Sequence, residues 1–233
     1  MTKGLQITGA SKYYNEGLNR ITALDRVSIK VEPGEFVAVV GPSGSGKSTF
    51  LSIAGALLKA SEGEVILNGK DISKVSDSEL SDMRLHEIGF IMQASNLVPY
   101  LSVLDQLLVV KRMSGKVRAS DKTMAVRLLE ELGLGDKLKG YPEELSGGEK
   151  QRTAIARALI NDPAVILADE PTASLDTKRA HEVVSLIAHE VRTRGKAAIM
   201  VTHDERLLTY CDKVYRMEDG KLSLAELESI HSV

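Results

Sequence analysis

Apolar residues change their spacing along this chain, and the changes predict where strands give way to helices. Near the N-terminus Val27, Ile29 and Val31 alternate with polar residues, the pattern of a half-buried antiparallel strand. Glu32-Pro33-Gly34-Glu35 supplies a turn, and Phe36-Val37-Ala38-Val39-Val40 follows as an unbroken apolar run. A short run of that kind, bounded by turn signals, suits a central strand covered on both faces. Ala164 to Ala168 and Ala197 to Val201 repeat the pattern far downstream. Between them Val183, Val184, Ile187 and Val191 form one helical stripe. Strand, helix, strand in that order predicts an α/β core with a mostly parallel sheet, preceded by N-terminal antiparallel strands.

The middle of the chain reads differently. From about residue 76 to 159 the spacing is mostly helical, with Val103, Leu107 and Leu108, then Val126, Leu129 and Leu132 as apolar positions. Residues 93–161 are expected to form a helical subdomain inserted into a core built from 1–92 and 162–233, the whole chain being one domain. Glu218-Asp219-Gly220-Lys221 reads as a late turn.

Composition narrows the function classes. A length of 233 residues can bury a sizeable core. A formal net charge of −2 with mixed signs gives no basic face for nucleic acid. The one cysteine, Cys211, excludes a disulfide framework and a multi-cysteine metal site. No apolar stretch approaches the roughly 18 residues of a spanning helix, and Met1-Thr2-Lys3-Gly4 does not open a signal peptide. The expected location is the cytoplasm, with any membrane attachment supplied by a partner.

Candidate chemistry begins at Gly41-Pro42-Ser43-Gly44-Ser45-Gly46-Lys47-Ser48, which matches G-x-x-x-x-G-K-[ST] between a predicted strand and a predicted helix start near Lys47, where Thr49 follows. Glycines at 41, 44 and 46 let successive N–H groups turn toward phosphate oxygens. Lys47 is the candidate for the β- and γ-phosphates, and the Ser48 hydroxyl for Mg²⁺. A second apolar run ends in Asp169-Glu170, at the strand end where α/β sheets bind ligands. Asp169 is expected at the Mg²⁺, through water, and Glu170 as the base that polarises an attacking water.

Leu145-Ser146-Gly147-Gly148-Glu149-Lys150-Gln151-Arg152 carries a capping box, Ser146 with Glu149, that opens a helix ending at Asn161-Asp162-Pro163. Capping does not explain Gly147 and Gly148, poor helix formers in a first turn. Two glycines there bare N–H groups toward an anion.

This segment resembles the signature of ATP-binding-cassette ATPases, and further family motifs occur in the family's order over nearly the whole chain. Tyr14, with Tyr13 beside it as the alternative register, resembles the aromatic that stacks on adenine. Gln93, after Ile88-Gly89-Phe90-Ile91-Met92, resembles the glutamine that touches Mg²⁺ and water. Ser174-Leu175-Asp176 is similar to the family's D-loop, and Thr202-His203-Asp204 to the switch histidine at the γ-phosphate. The resemblance implies ATP and Mg²⁺ as cofactors. It also implies head-to-tail pairing with a second copy, in which N–H groups of Ser146 and Gly148 face the partner's nucleotide. Glu149 stands where many family members have glutamine, with no loss of activity expected.

The segment Asp169 to Asp176 is similar to the compact cassettes of the macrolide-export and lipoprotein-release group. Those cassettes serve an integral membrane permease with an extracytoplasmic domain. Residues 84–101 and 202–207 further resemble ATPases of bacterial haem-efflux transporters. The implied function is ATP hydrolysis driving haem efflux from the cytoplasmic side of the membrane, with the permease, not this chain, contacting the transported substrate. The alternatives are a lipoprotein, macrolide or peptide exporter, or a force-transmitting cassette that regulates a cell-division or cell-wall membrane partner. Leu97, Val98, Tyr100 and Leu101 are read either as subdomain core or as part of a groove for that partner.

Overall fold

The computed structural model describes residues 4–16, 19–173 and 175–225. Its strands form two sheets. The first holds β1 (Leu5–Glu16), β2 (Asn19–Val31), β4 (Glu62–Leu67) and β5 (Lys70–Asp71) in the order β2-β1-β4-β5, all antiparallel. The second runs β10-β9-β3-β8-β7-β6. In it β6 (Ile88–Ile91), β7 (Val165–Asp169), β8 (Ala197–Val201), β3 (Phe36–Val40) and β9 (Lys213–Glu218) are parallel, and β10 (Lys221–Leu224) closes one edge antiparallel.

The unbroken apolar runs are central strands because both sheet faces are covered. Phe36, Ala38 and Val40 enter one core cluster, and Val37 and Val39 the other. The second cluster fills the space between this sheet, the antiparallel sheet, α1 (Lys47–Ala54) and α2 (Asp77–Glu87). The first joins the opposite face to α3 (Val103–Met113), α4 (Ala119–Glu131), α5 (Gly147–Leu159) and α6 (Thr177–Arg194). The helices between β6 and β7 therefore share a core with the sheet.

Two details differ from the sequence reading. The stretch from residue 76 onward is interrupted by β6, a strand of four residues too short to impose a period of its own. On α4 the buried stripe runs through Ala125, Leu128 and Leu129, followed by Leu132, while Val126 is only half-buried. Among the described residues no helix is long and apolar enough to cross a membrane.

The parallel order fixes where chemistry can collect. β3, β6, β7 and β8 all end at the same sheet edge, so the residues after Val40, Ile91, Ala168 and Val201 meet there.

Candidate active site

A cavity of about 730 Å³ opens at that edge. Gly41, Ser43, Gly44, Gly46, Lys47, Ser48 and Thr49 line it from the β3–α1 loop, Gln93 from the end of β6, Asp169 and Glu170 from β7, and His203 from β8. Residues 162 positions apart in the chain are thus brought together by strand register alone (203 − 41).

The loop owes its shape to close approaches as well as to glycine's freedom. Gly46 has φ 106°, and a Cβ there would lie 2.6 Å from the Ala23 carbonyl oxygen; at Gly41 it would lie 2.1 Å from that of Met217. Gly46 caps α1 in the left-handed region with no side-chain hydrogen bond and no acidic residue in the first turn. The N–H groups of Lys47, Ser48 and Thr49 consequently have no acceptor among the described residues, and the helix dipole adds positive potential. Lys47 Nζ donates to the carbonyls of Gly41 and Pro42, each at 2.7 Å, which holds the ammonium across the loop. Pro42 and Ser45 do not line the cavity. Ser45 is buried, its hydroxyl has no hydrogen-bond partner, and its carbonyl accepts from Gly220 N–H at 2.9 Å.

On the opposite wall Glu170 has φ 46°, an uncommon conformation for a non-glycine residue. It is held by its N–H donating to Val201 O at 2.9 Å. Its Oε2 lies 2.7 Å from His203 Nδ1. The loop bearing His203 is braced beside it: Asp204 accepts from Arg206 Nε and Nη2 at 2.8 and 2.7 Å, and Arg206 also donates to Thr177 Oγ1 at 3.1 Å. The Arg206 hydrogen bonds hold the Asp204 carboxyl below its ordinary range.

Asp169 is pushed up, first by burial and then by the neighbouring Glu170 carboxylate, with Lys47 opposing. A half-buried carboxylate so placed is under-neutralised. With the Ser48 hydroxyl and the Gln93 amide oxygen it forms a set of hard oxygen donors, which fits Mg²⁺.

The structure does not bring every expected residue to the cavity. Ser146, Gly147, Gly148 and Glu149 lie outside it, at the start of α5. The capping box is present in full: Ser146 Oγ accepts from Glu149 N–H at 3.3 Å, and Ser146 N–H donates to Glu149 Oε2 at 2.7 Å. These bonds hold the Glu149 carboxyl below its ordinary range. They also correct the expected donor pair, because the Ser146 N–H is already engaged. The unengaged N–H groups are those of Gly147 and Gly148. A Cβ would meet nothing nearer than 3.7 Å at Gly147 or 3.5 Å at Gly148, so the chain's own packing does not demand glycine there.

Asp176 is also outside the cavity, where its carboxylate caps α6 by accepting from Arg179 N–H at 3.0 Å. Ser174, beside it in the expected D-loop, lies outside the described residues. Tyr14 stands exposed on β1 opposite Ile21, which does line the cavity. Tyr13 is engaged elsewhere, with Arg20 over its ring and its hydroxyl 3.2 Å from Glu62. Tyr14 does not itself line the cavity, and Lys12 Nζ lies 5.5 Å from its ring centroid.

Sequence reasoning missed Ile21, Thr22, Ala23, Val201, Asp219 and Gly220 as lining residues. The last two form the two-residue turn between β9 and β10, both at positive φ, as a type I′ hairpin requires. The Asp-Gly pair was visible in the sequence as a turn; its reach to Ser45 was not.

The ABC transporter family model matches residues 24–173. A Staphylococcus aureus protein (strain Newman) that carries the name hemin import ATP-binding protein HrtA is 47% identical over 212 residues, covering 91% of this chain and 96% of that protein. Its namesake from Staphylococcus haemolyticus is 48% identical over 221 residues, covering 94% and 99%. The dimeric structure of a bacterial ABC transporter cassette superimposes with a TM-score of 0.86 at 35% identity, covering 96% of this chain and 98% of that one. A dimeric post-hydrolysis cassette bound to ADP and phosphate gives 0.84 at 36% identity, with the same coverage.

Proposed function

This chain belongs to the ABC transporter family, and we propose that it couples ATP hydrolysis in a head-to-tail dimer to a haem-transporting permease. As a member of the family it is an ATP-binding, ATP-hydrolysing subunit, and cassettes of the family dimerise and work with membrane partners. The observation that carries the site assignment is the meeting of Lys47, Ser48, Gln93, Asp169, Glu170 and His203 around one cavity.

In this reading the unengaged N–H groups of the β3–α1 loop and Lys47 hold the phosphates, and Tyr14 stacks on the base. Ser48, Gln93 and Asp169 would hold Mg²⁺, which when bound offsets charge on the β- and γ-phosphates. Glu170 takes a proton from the attacking water. Its contact with His203 orients the carboxylate, and the exposed imidazole is free to turn toward the γ-phosphate. The Gly147 and Gly148 N–H groups of a second copy complete the anion site. Glu170→Gln should lower turnover by roughly 10²–10⁴-fold while ATP-driven dimers persist. Unchanged turnover would remove Glu170 from its role.

Residues 93–161 act as the helical unit that meets the permease, and the chain sits peripherally on the cytoplasmic face of the membrane. The permease carries an extracytoplasmic domain. Haem is supported by the name of the Staphylococcus relatives, which says import, and by the sequence resemblance, which favours efflux. Deleting the chain with its permease decides the sign: haem hypersensitivity supports efflux, and loss of growth on haem as iron source supports import.

A further inference from the structure

A second cavity, of about 510 Å³, lies between α4 and α6 and shares no residue with the nucleotide cavity. Each helix turns one stripe toward it. On α4 the stripe holds positions 124, 127, 128 and 131, and on α6 positions 186, 189, 190 and 193, both spaced i, i+3, i+4, i+7. Stripes of that spacing are ordinarily apolar and close on one another. Here only Met124, Leu128 and Leu186 are apolar, and a groove stays open between the helices. Its volume falls in the range of small-molecule sites, about 300–1,000 Å³.

The polar members gather two cations at one place. Glu190 is 5% exposed and accepts from Arg194 Nε at 2.5 Å. Arg194 Nη2 also donates to Glu131 Oε2 at 2.7 Å, and Glu131 Oε1 accepts from Arg127 Nε at 2.9 Å. The Arg127–Glu131 pair is largely exposed and worth only about 0–1 kcal/mol, so a ligand carboxylate can replace Glu131 on Arg127 at little cost.

His189 stands apart from the other described histidines. His86 binds Asp82, His181 binds Tyr210 and His203 binds Glu170, whereas the His189 ring has no hydrogen-bond or ion-pair partner among the described residues. Across the groove α4 presents the thioether of Met124. Imidazole and thioether are together the axial ligands that hold haem iron in cytochromes c. Arg194 follows His189 by five residues (194 − 189), or about 7.5 Å along the helix, so a porphyrin whose iron meets His189 brings its edge to the guanidiniums.

We propose that the groove between α4 and α6 is a haem-binding site, with His189 as axial ligand to the iron, Met124 on the opposite wall, and Arg127 and Arg194 on the propionates. The inference rests on the haem reading above and adds to it a place on this chain for the molecule whose transport the chain drives. A porphyrin seated there joins the helical unit to α6 through a ligand.

The test is a titration of haemin into the full nucleotide-free chain, followed in the Soret region. Wild type should bind one haemin per chain with a low-spin, six-coordinate spectrum. His189→Ala should weaken binding by at least roughly 10- to 100-fold, the loss that even an outer partner of a metal ligand produces. Met124→Leu should keep binding and convert the spectrum to that of a single axial ligand. Arg127→Gln should weaken binding by roughly tenfold, the scale of one hydrogen bond to a charged group. All three variants should keep wild-type Tm and ATP turnover without haemin, because none of these residues lines the nucleotide cavity. Iron-free protoporphyrin should bind wild type and His189→Ala equally, since it offers no metal to the ring. Affinity and spectrum unchanged in both His189→Ala and Met124→Leu, or several haemins per chain, would reduce the binding to surface adsorption and overturn the site. The two readings fail separately: the deletion phenotype decides whether the transporter moves haem, and the titration decides whether this chain binds it.

Discussion

Two helix N-termini in this molecule leave N–H groups unengaged, and they are built on opposite principles. α1 begins at a left-handed glycine without any side-chain cap, so its whole first turn of N–H groups is unengaged. α5 begins at a complete capping box, which engages the N–H groups of Ser146 and Glu149 and leaves only those of Gly147 and Gly148. α1 gives up the roughly 1 kcal/mol of a good cap in exchange for a wide anion cradle. α5 keeps its cap and offers a narrow opening. Under the proposed function, the difference suits a helix that grips its own nucleotide and another that touches a partner's nucleotide only when two subunits meet.

The same contrast appears in the glycines. At α1 the fold forbids a side chain, since Cβ atoms at Gly41 and Gly46 would overlap backbone of β9 and β2. At α5 the fold tolerates one, so the chain's own packing does not account for glycine there.

The strongest way to break this comparison is subunit mixing. Gly148→Asp places a carboxylate beside Arg179 and Arg152 at a helix N-terminus, where an acid is favourable, so the monomer should keep its stability. Its dimers should nevertheless lose hydrolysis by about 10²-fold or more, because the anion meets a like charge. Cross-linked to a Lys47→Ala subunit, it should regain about half the wild-type rate from the one complete composite site. No recovery in that heterodimer would show that each subunit works alone.

Next in size, Gly46→Ala should destabilise the chain by about 1–3 kcal/mol through its disallowed φ and backbone overlap. Gly147→Ala should instead leave stability unchanged or raise it by about 0.5 kcal/mol, while lowering ATPase activity. Thermal unfolding with turnover measured on the same samples checks both. Equal destabilisation by the two variants would erase the distinction between the helix starts.

The smallest effect concerns Asp169. Its folded pKa is raised, so the ionised form opposes folding, and the opposition grows as pH rises through the folded value. Asp169→Asn should therefore raise the Tm of the nucleotide-free chain near neutral pH, and the gain should vanish as pH falls below about 4, the ordinary aspartate range. Mg²⁺ should stabilise the wild type and not the variant. A Tm gain independent of pH would mean that Asn repairs packing and not charge.

How much of this was legible in the sequence depended on distance along the chain. The Gly41–Thr49 loop, the Asp169-Glu170 pair and the capping box at Ser146 are local patterns in which neighbouring residues act on one another, and they were readable as such. The central strands were readable because burial on both faces leaves an unbroken apolar run. β6 was not, since four residues containing Gly89 carry too little period to stand out between helices. Ile21, Thr22 and Ala23 reach the cavity only because β2 passes over Gly46, and no local pattern encodes that passage. The engagement of the Ser146 N–H by Glu149 follows from the capping box itself, and tracing both of its bonds from the sequence would have shown that donor to be occupied.

The hairpin at Asp219-Gly220 has a consequence for how the molecule comes into being. Gly220 donates to Ser45 O and accepts from Asp25 N–H, so a turn far along the sequence fastens the phosphate loop. During synthesis the phosphate loop emerges early, yet its last contacts are made only when residue 220 has left the ribosome. The phosphate loop is thus made 175 residues (220 − 45) before the turn that fastens it. A chain truncated before that turn would carry the whole Gly41–Thr49 loop without the hydrogen bond that Gly220 gives Ser45 O.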